Sequence, residues 1–128
     1  MTRKKELTDA EWIIIHEVWK NEPCAAPTVQ EELSKSKNWS YSTVRTFMDR
    51  MVAKGLLKSE KLRNLTLFRS AISPDEAQKV EVLSTLKNAF NGALRPMMEC
   101  LLETDDLTAR ELADLEALLK EKRKNLKK

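Results

Sequence analysis

The sequence predicts a mostly α-helical protein laid out as a winged helix-turn-helix, three helices plus a small β-hairpin wing, followed by a helical C-terminal region. Three observations predict it. Two glycines and four prolines in 128 residues are too few for the turns of an all-β sandwich or barrel. One signature of a helix start recurs three times along the chain. The helical spacing of apolar residues also gives way once, to two short runs flanking Arg63-Asn64.

The first helix opens at Thr8-Asp-Ala-Glu11, a capping box in which hydroxyl and carboxylate satisfy backbone N–H groups reciprocally, with Leu7 and Trp12 as a hydrophobic staple. It carries Trp12, Ile15, Val18 and Trp19 inward and stops before Asn21-Glu-Pro23. A second helix starts at Pro27, buries Val29 and Leu33 and ends near Ser36. The third begins after Ser40, with Trp39 placed to staple onto Val44. Its stripe is Val44, Phe47, Met48, Met51 and Val52, and Gly55 ends it as a left-handed cap.

Leu56 to Leu62 and Leu65 to Ser70 form the hairpin, although Leu62 and Leu65 break the alternation that would fix its inward face. Ser73-Pro-Asp-Glu76 starts a fourth helix through Val80, Leu83, Leu86 and Phe90, which Asn91-Gly92 interrupts. Pro96 opens another short helix. Thr108-Ala-Arg-Glu111 starts the last, about 109 to 124, with Leu112, Leu115, Leu118 and Leu119 on one side. The boundaries are thus a winged-helix domain over 1–73 and a helical domain over 74–128.

Charge is distributed unevenly. The chain carries +3, yet the segment from Lys35 to Arg69 holds nine basic residues against Asp49 and Glu60, a net of +7, leaving −4 elsewhere. A basic middle on a nearly neutral chain suits an anionic partner, nucleic acid first, or is simply a solvated surface. Removing the apolar stripe from helix three leaves Ser42, Thr43, Arg45, Thr46, Asp49, Arg50 and Lys54 outward. Arg45 has the chemistry to give two hydrogen bonds to guanine O6 and N7. The short hydroxyls reach base edges or phosphates, and the Arg63-Asn64 tip presses on the flanking backbone. A winged-helix module that docks a protein through helix three is the other reading of the same elements.

Other functions find little support. Cys24 and Cys100 make no disulfide framework, and two cysteines with one histidine are too few for a metal site. Free cysteine acts mostly as a small hydrophobe, with redox sensing the alternative. His16 sits between Trp12 and Trp19 as a packed side chain. No Gly-rich phosphate loop and no nucleophile with a base occurs, so neither enzyme activity nor a cofactor is expected. The Met1-Thr-Arg-Lys-Lys-Glu start has no apolar stretch for a signal peptide, and no window is apolar enough to span a membrane. A soluble, cytoplasmic protein with no membrane partner is the expectation.

Leu7-Thr-Asp-Ala-Glu-Trp12, Val18-Trp19, Thr43-Val-Arg-Thr46, Arg50-Met51 and Lys54-Gly-Leu-Leu-Lys58 resemble the penicillinase and methicillin-resistance repressors. The copper-responsive repressors share this half, and the resemblance runs from about Leu7 to Leu119. It implies a homodimeric repressor whose N-terminal winged helix binds inverted TACA/TGTA half-sites and whose C-terminal helices dimerise. By position it assigns DNA contacts to Ser42, Thr43, Arg45, Thr46 and Arg50, with Thr28 and Arg63 assisting. It assigns the dimer interface to Leu112, Leu115 and Leu119, whose leucine face could otherwise pack within its own chain. Two departures limit it. The Asn-Phe pair cleaved during induction of the β-lactam-responsive members corresponds to Cys100-Leu101. The metal-binding cysteine cluster of the copper-responsive members has no counterpart after Cys100. The resemblance therefore carries the fold and the DNA role but not the inducing signal.

Overall fold

The structure, a computed structural model, describes residues 6–126; the N-terminal charge cluster before Glu6 and the last two lysines lie outside the described residues. Two compact units form, one up to Thr85 and one from Leu86.

The first unit holds α1 (Asp9–Asn21), α2 (Ala26–Leu33), α3 (Tyr41–Ala53), β1 (Leu57–Leu62), β2 (Leu65–Ser70) and most of α4 (Pro74–Phe90). The Thr8 capping box forms as its sequence predicts. Glu11 N donates to Thr8 Oγ1 at 3.2 Å and Thr8 N donates to Glu11 Oε1 at 2.9 Å. Ile15 and Val18 are fully buried, and so is Ile14, which the four-residue stripe left out. The reason is that α1 packs against α2, α3 and β2, so its buried arc is wider than one stripe. Trp12 and Trp19 are only half-buried at its edges. Their indole N–H groups leave the apolar layer to donate to Glu81 Oε1 at 3.3 Å and to the Ile72 carbonyl at 3.0 Å.

Cys24, in the loop before α2, is part of the core rather than a loop residue. It exchanges two backbone hydrogen bonds with Phe68, at 2.7 and 3.1 Å, and so ties that loop to β2. Burial, then the nearby Glu22 and Glu17 carboxylates, push its thiol pKa up, which makes it a poor nucleophile.

Ser40 caps α3, its Oγ accepting from Thr43 N at 3.2 Å. At the other end Leu56 N donates to Met51 O at 2.9 Å and Gly55 N to Val52 O at 3.1 Å. This paired closure requires the left-handed Gly55, with φ of 84°. Val44, Met48 and Met51 are fully buried beneath α3. Trp39 lies 5.5 Å from the Phe47 ring, between centroids, and bridges to α2 through Gln30 Nε2 on its carbonyl at 3.3 Å.

β1 and β2 pair antiparallel from Leu57 opposite Ser70 to Leu62 opposite Leu65. Only Leu57, at the base, and Phe68, midway along β2, are buried in the strands. Leu62 and Leu65 are exposed because the outer hairpin projects past the core with no layer on either side. That is why alternation fails there.

Lys54, expected on the outer face of α3, turns inward instead. Its ammonium donates to Glu11 Oε1 at 2.7 Å and to the Glu6 carbonyl at 3.1 Å. Glu11 is the buried charge of the core, 5% exposed, and this pair ties the start of α1 to the end of α3. Glu11→Gln is expected to lower stability by about 1–2 kcal/mol, toward the low end for a charged hydrogen bond because Lys54 still reaches water. A lower urea midpoint with unchanged m checks it.

The second unit contains the end of α4, α5 (Leu94–Leu102) and α6 (Ala109–Leu126). Asn91 and Gly92 take positive φ, 51° and 81°, and Gly92 N donates to Leu86 O at 2.9 Å, closing α4. Thr108 and Glu111 form another reciprocal capping box at α6. No described helix is long and apolar enough to cross a membrane.

Candidate nucleic-acid interface

The buried Val44–Met48–Met51 line fixes which way α3 faces, because it leaves one arc of the helix free. On that arc Ser42, Thr46, Asp49 and Arg50 are exposed, with Thr43 and Arg45 half-exposed. The five predicted α3 residues therefore do share a surface. Thr28 is exposed in the first turn of α2, which packs on α3, and Arg63 is exposed at the wing tip.

The hydroxyls near the start of α3 are already organised. Ser40 Oγ lies 3.1 Å from both Ser42 Oγ and Thr43 Oγ1. Thr46 is exposed, and its Oγ1 donates to the Ser42 carbonyl at 2.8 Å, which spends its hydrogen. These groups form a small polar cap with acceptor capacity, not freely turning side chains.

Arg45 is more constrained than its sequence suggested. Its Nε donates to Asp49 Oδ1 at 3.1 Å and its Nη1 to the Tyr41 hydroxyl at 3.4 Å. Its Cζ lies 5.5 Å from the centroid of the buried Phe68 ring on β2. The hydrogen bonds to Tyr41 and then Asp49 push the guanidinium pKa still higher, so it is a permanent cation. Sequence reasoning placed Asp49 on this face but missed its partnership with Arg45. The signal was there, since Tyr41 and Asp49 stand four residues either side of Arg45 and so share its face.

Two of the nine basic residues between Lys35 and Arg69 are thus internally paired, Arg45 with Asp49 and Lys54 with Glu11. Lys35, Lys37, Arg50, Lys58, Lys61, Arg63 and Arg69 are exposed. Six-residue strands put the wing tip about 17–20 Å from the hairpin base.

At Arg63 the chain takes φ of 61°, a left-handed conformation that side chains other than Gly, Asn and Asp rarely adopt. The two-residue turn needs it.

In the second unit Leu112 is 39% exposed and Leu119 58% exposed, while Leu115 is half-buried. The predicted leucine stripe lies on α6, but its members differ in how far their own chain covers them. No cluster of His, Cys, Asp and Glu suited to a metal occurs among the described residues.

Three helices, a polar arc on the third and a two-stranded wing make this a winged helix-turn-helix protein. The family model described as Penicillinase repressor matches residues 7–121, and the chain belongs to the penicillinase repressor family. A penicillinase repressor of Bacillus licheniformis is 31% identical over 128 residues, 100% of this chain and 99% of that protein. The methicillin resistance regulatory protein MecI of Staphylococcus aureus (strain N315) is 23% identical over 117 residues, 91% of this chain and 95% of that one. A solution structure of the DNA binding domain of the repressor BlaI aligns with TM-score 0.52 at 28% identity, over 59% of this chain and 93% of that chain.

Proposed function

We propose that this chain represses transcription by binding, as a homodimer, an operator built of inverted TACA/TGTA-type half-sites. The observation that carries it is the exposed arc of α3, hydroxyls at its start and Arg45 and Arg50 beyond, on a winged-helix domain of a repressor family. In this reading α3 enters the major groove and Arg45 reads guanine, while the Thr46 methyl suits a thymine methyl. Ser42, Thr43 and Arg50 hold the adjoining edges and phosphates, Thr28 the backbone beside them, and Arg63 the flanking phosphates. The exposed leucines of α6 bury against a second copy, with Leu112 and Leu119 central and Leu115 behind them. Occupying a promoter requires no chemistry, hence neither enzyme activity nor a cofactor, and it places the protein in the cytoplasm with the DNA.

Neutralised phosphates make such binding steeply salt-dependent. With 6–10 contacts, operator affinity is expected to fall by about 10³–10⁵ between roughly 50 and 200 mM salt. The test is a titration of an inverted-repeat duplex followed by native mass spectrometry. Two chains per duplex support the reading. Indifference to DNA at low salt contradicts it and turns the search to a protein partner.

The wing tip gives an opposed pair of effects. Arg63→Gly is expected to stabilise the fold by up to about 1 kcal/mol, since glycine takes the positive φ of the first turn position without strain. The same change weakens operator and random DNA alike and lowers the salt slope by about one. Thermal unfolding and a salt series read the two effects separately.

A further inference from the structure

We propose that Asp49, with Tyr41, sets the specificity of Arg45 by spending its Nε and shielding its charge from phosphates, so that only the Nη1/Nη2 edge is left to read a base. The proposal rests on α3 being the recognition helix.

Donor arithmetic carries it. A guanidinium has five N–H donors and offers a planar acceptor pair one of two forks, Nε with Nη or Nη1 with Nη2. Asp49 Oδ1 takes the single Nε hydrogen at 3.1 Å, which removes the first fork. Tyr41 takes one Nη1 hydrogen at 3.4 Å, leaving one on Nη1 and two on Nη2, enough for the end-on fork. The two partners sit one turn to either side on the same helix face, and Phe68 backs the group at 5.5 Å. The side chain is thus held along α3 rather than free to sweep toward whichever phosphate is nearest.

Charge adds a second effect. Asp49 is 57% exposed in its side chain and lies on the same arc. It weakens the pull of Arg45 on phosphates, a loss felt where Arg45 has no guanine to read, whereas its own repulsion of phosphates falls on every sequence alike. A guanine edge, which carries no net charge, is repaid by two directed hydrogen bonds. Asp49 thereby lowers general affinity more than operator affinity, which is how a repulsive element produces specificity. It is a positioning residue that acts through Arg45.

The experiment compares the full-length wild type, Asp49→Asn, Arg45→Ala and the double variant. Each is titrated by fluorescence anisotropy against an inverted TACA/TGTA duplex and a scrambled duplex of equal composition, over a salt series. Asp49→Asn is expected to tighten scrambled-duplex binding by about three- to tenfold and to steepen the salt slope by about one. The ratio of operator to scrambled affinity falls accordingly. In the Arg45→Ala background the same change is expected to have much less effect on that ratio, because the residue it positions is gone. Asp49→Glu, which keeps an acceptor at the same spacing, recovers part of the ratio.

Loss of affinity for both duplexes in equal measure would overturn the proposal and make Asp49 a structural residue. An unchanged effect in the Arg45→Ala background would also overturn it, leaving only bulk charge. The arginine Nε–H signals of the free protein report the clamp without DNA. Arg45 Nε–H is expected to exchange slowly in the wild type and fast in Asp49→Ala, which leaves no acceptor at that position, and equal rates would overturn the clamp. A wild type that treats both duplexes alike refutes the recognition-helix reading itself, and does so before any variant is compared.

Discussion

Leu119→Glu is expected to lower operator affinity by about 10²–10⁴ while leaving the winged helix and its helix content intact. Leu119 is 58% exposed in the single chain, so the substitution disturbs little that the chain itself packs. In a two-fold dimer the same patch of each copy meets its mate, so a carboxylate there is desolvated and faces a like charge. Each apolar side chain buried in such a contact contributes about 1.5–3 kcal/mol, and replacing it by a charge costs at least that much. Without the dimer, each half-site is bound independently and the gain from effective concentration is lost. Sedimentation at micromolar concentration should show a monomer. A full dimer would put the interface elsewhere, and a variant that unfolds would mean that the leucine face packs within its own chain. Leu115 is the poorer position for this test, because its own chain already covers part of it.

Arg45→Ala is expected to remove discrimination rather than binding. A bidentate contact to guanine is worth about 1–3 kcal/mol, or roughly 5- to 150-fold for each half-site. Two copies on one operator compound this to between about 30-fold and 10⁴-fold, where the sites add. Affinity for a scrambled duplex should change far less, since the Arg45 charge is already offset by Asp49 at 3.1 Å. Lys58 and Lys61, exposed on β1, give the contrasting behaviour. Their removal is expected to weaken every sequence alike and to flatten the salt slope. Equal losses for Arg45→Ala on both duplexes would exclude it as the base reader.

Local signals were legible wherever the physics is local. Thr8 with Glu11, Thr108 with Glu111, Ser40 as a cap and Gly55 as a left-handed stop each involve groups a few residues apart. Each also took the predicted form. The hairpin turn at Arg63-Asn64 was legible for the same reason. Features that depend on distant partners were not. Ile14 is buried because three elements close around α1. Cys24 joins the core through backbone bonds to Phe68, 44 positions away. Lys54 turned inward because Glu11 Oε1, which already accepts from Thr8 N in the cap, accepts from its ammonium as well.

The α3 surface lies between these cases. Its outward arc followed from apolar spacing alone, but spacing treats outward residues as equivalent. The structure separates them into a hydroxyl cap, an arginine held by two neighbours and an exposed Arg50. That distinction matters for function, since a side chain held in one fork reads a base differently from one free to find a phosphate.

The most direct test of the central claim is a pair of anisotropy titrations at matched salt, one with an inverted TACA/TGTA duplex and one with its scrambled counterpart. Dimer-stoichiometric binding is expected, with at least about a hundredfold preference for the inverted repeat, a gap that widens as salt suppresses the non-specific share. Weak binding with equal affinity for both duplexes would contradict it.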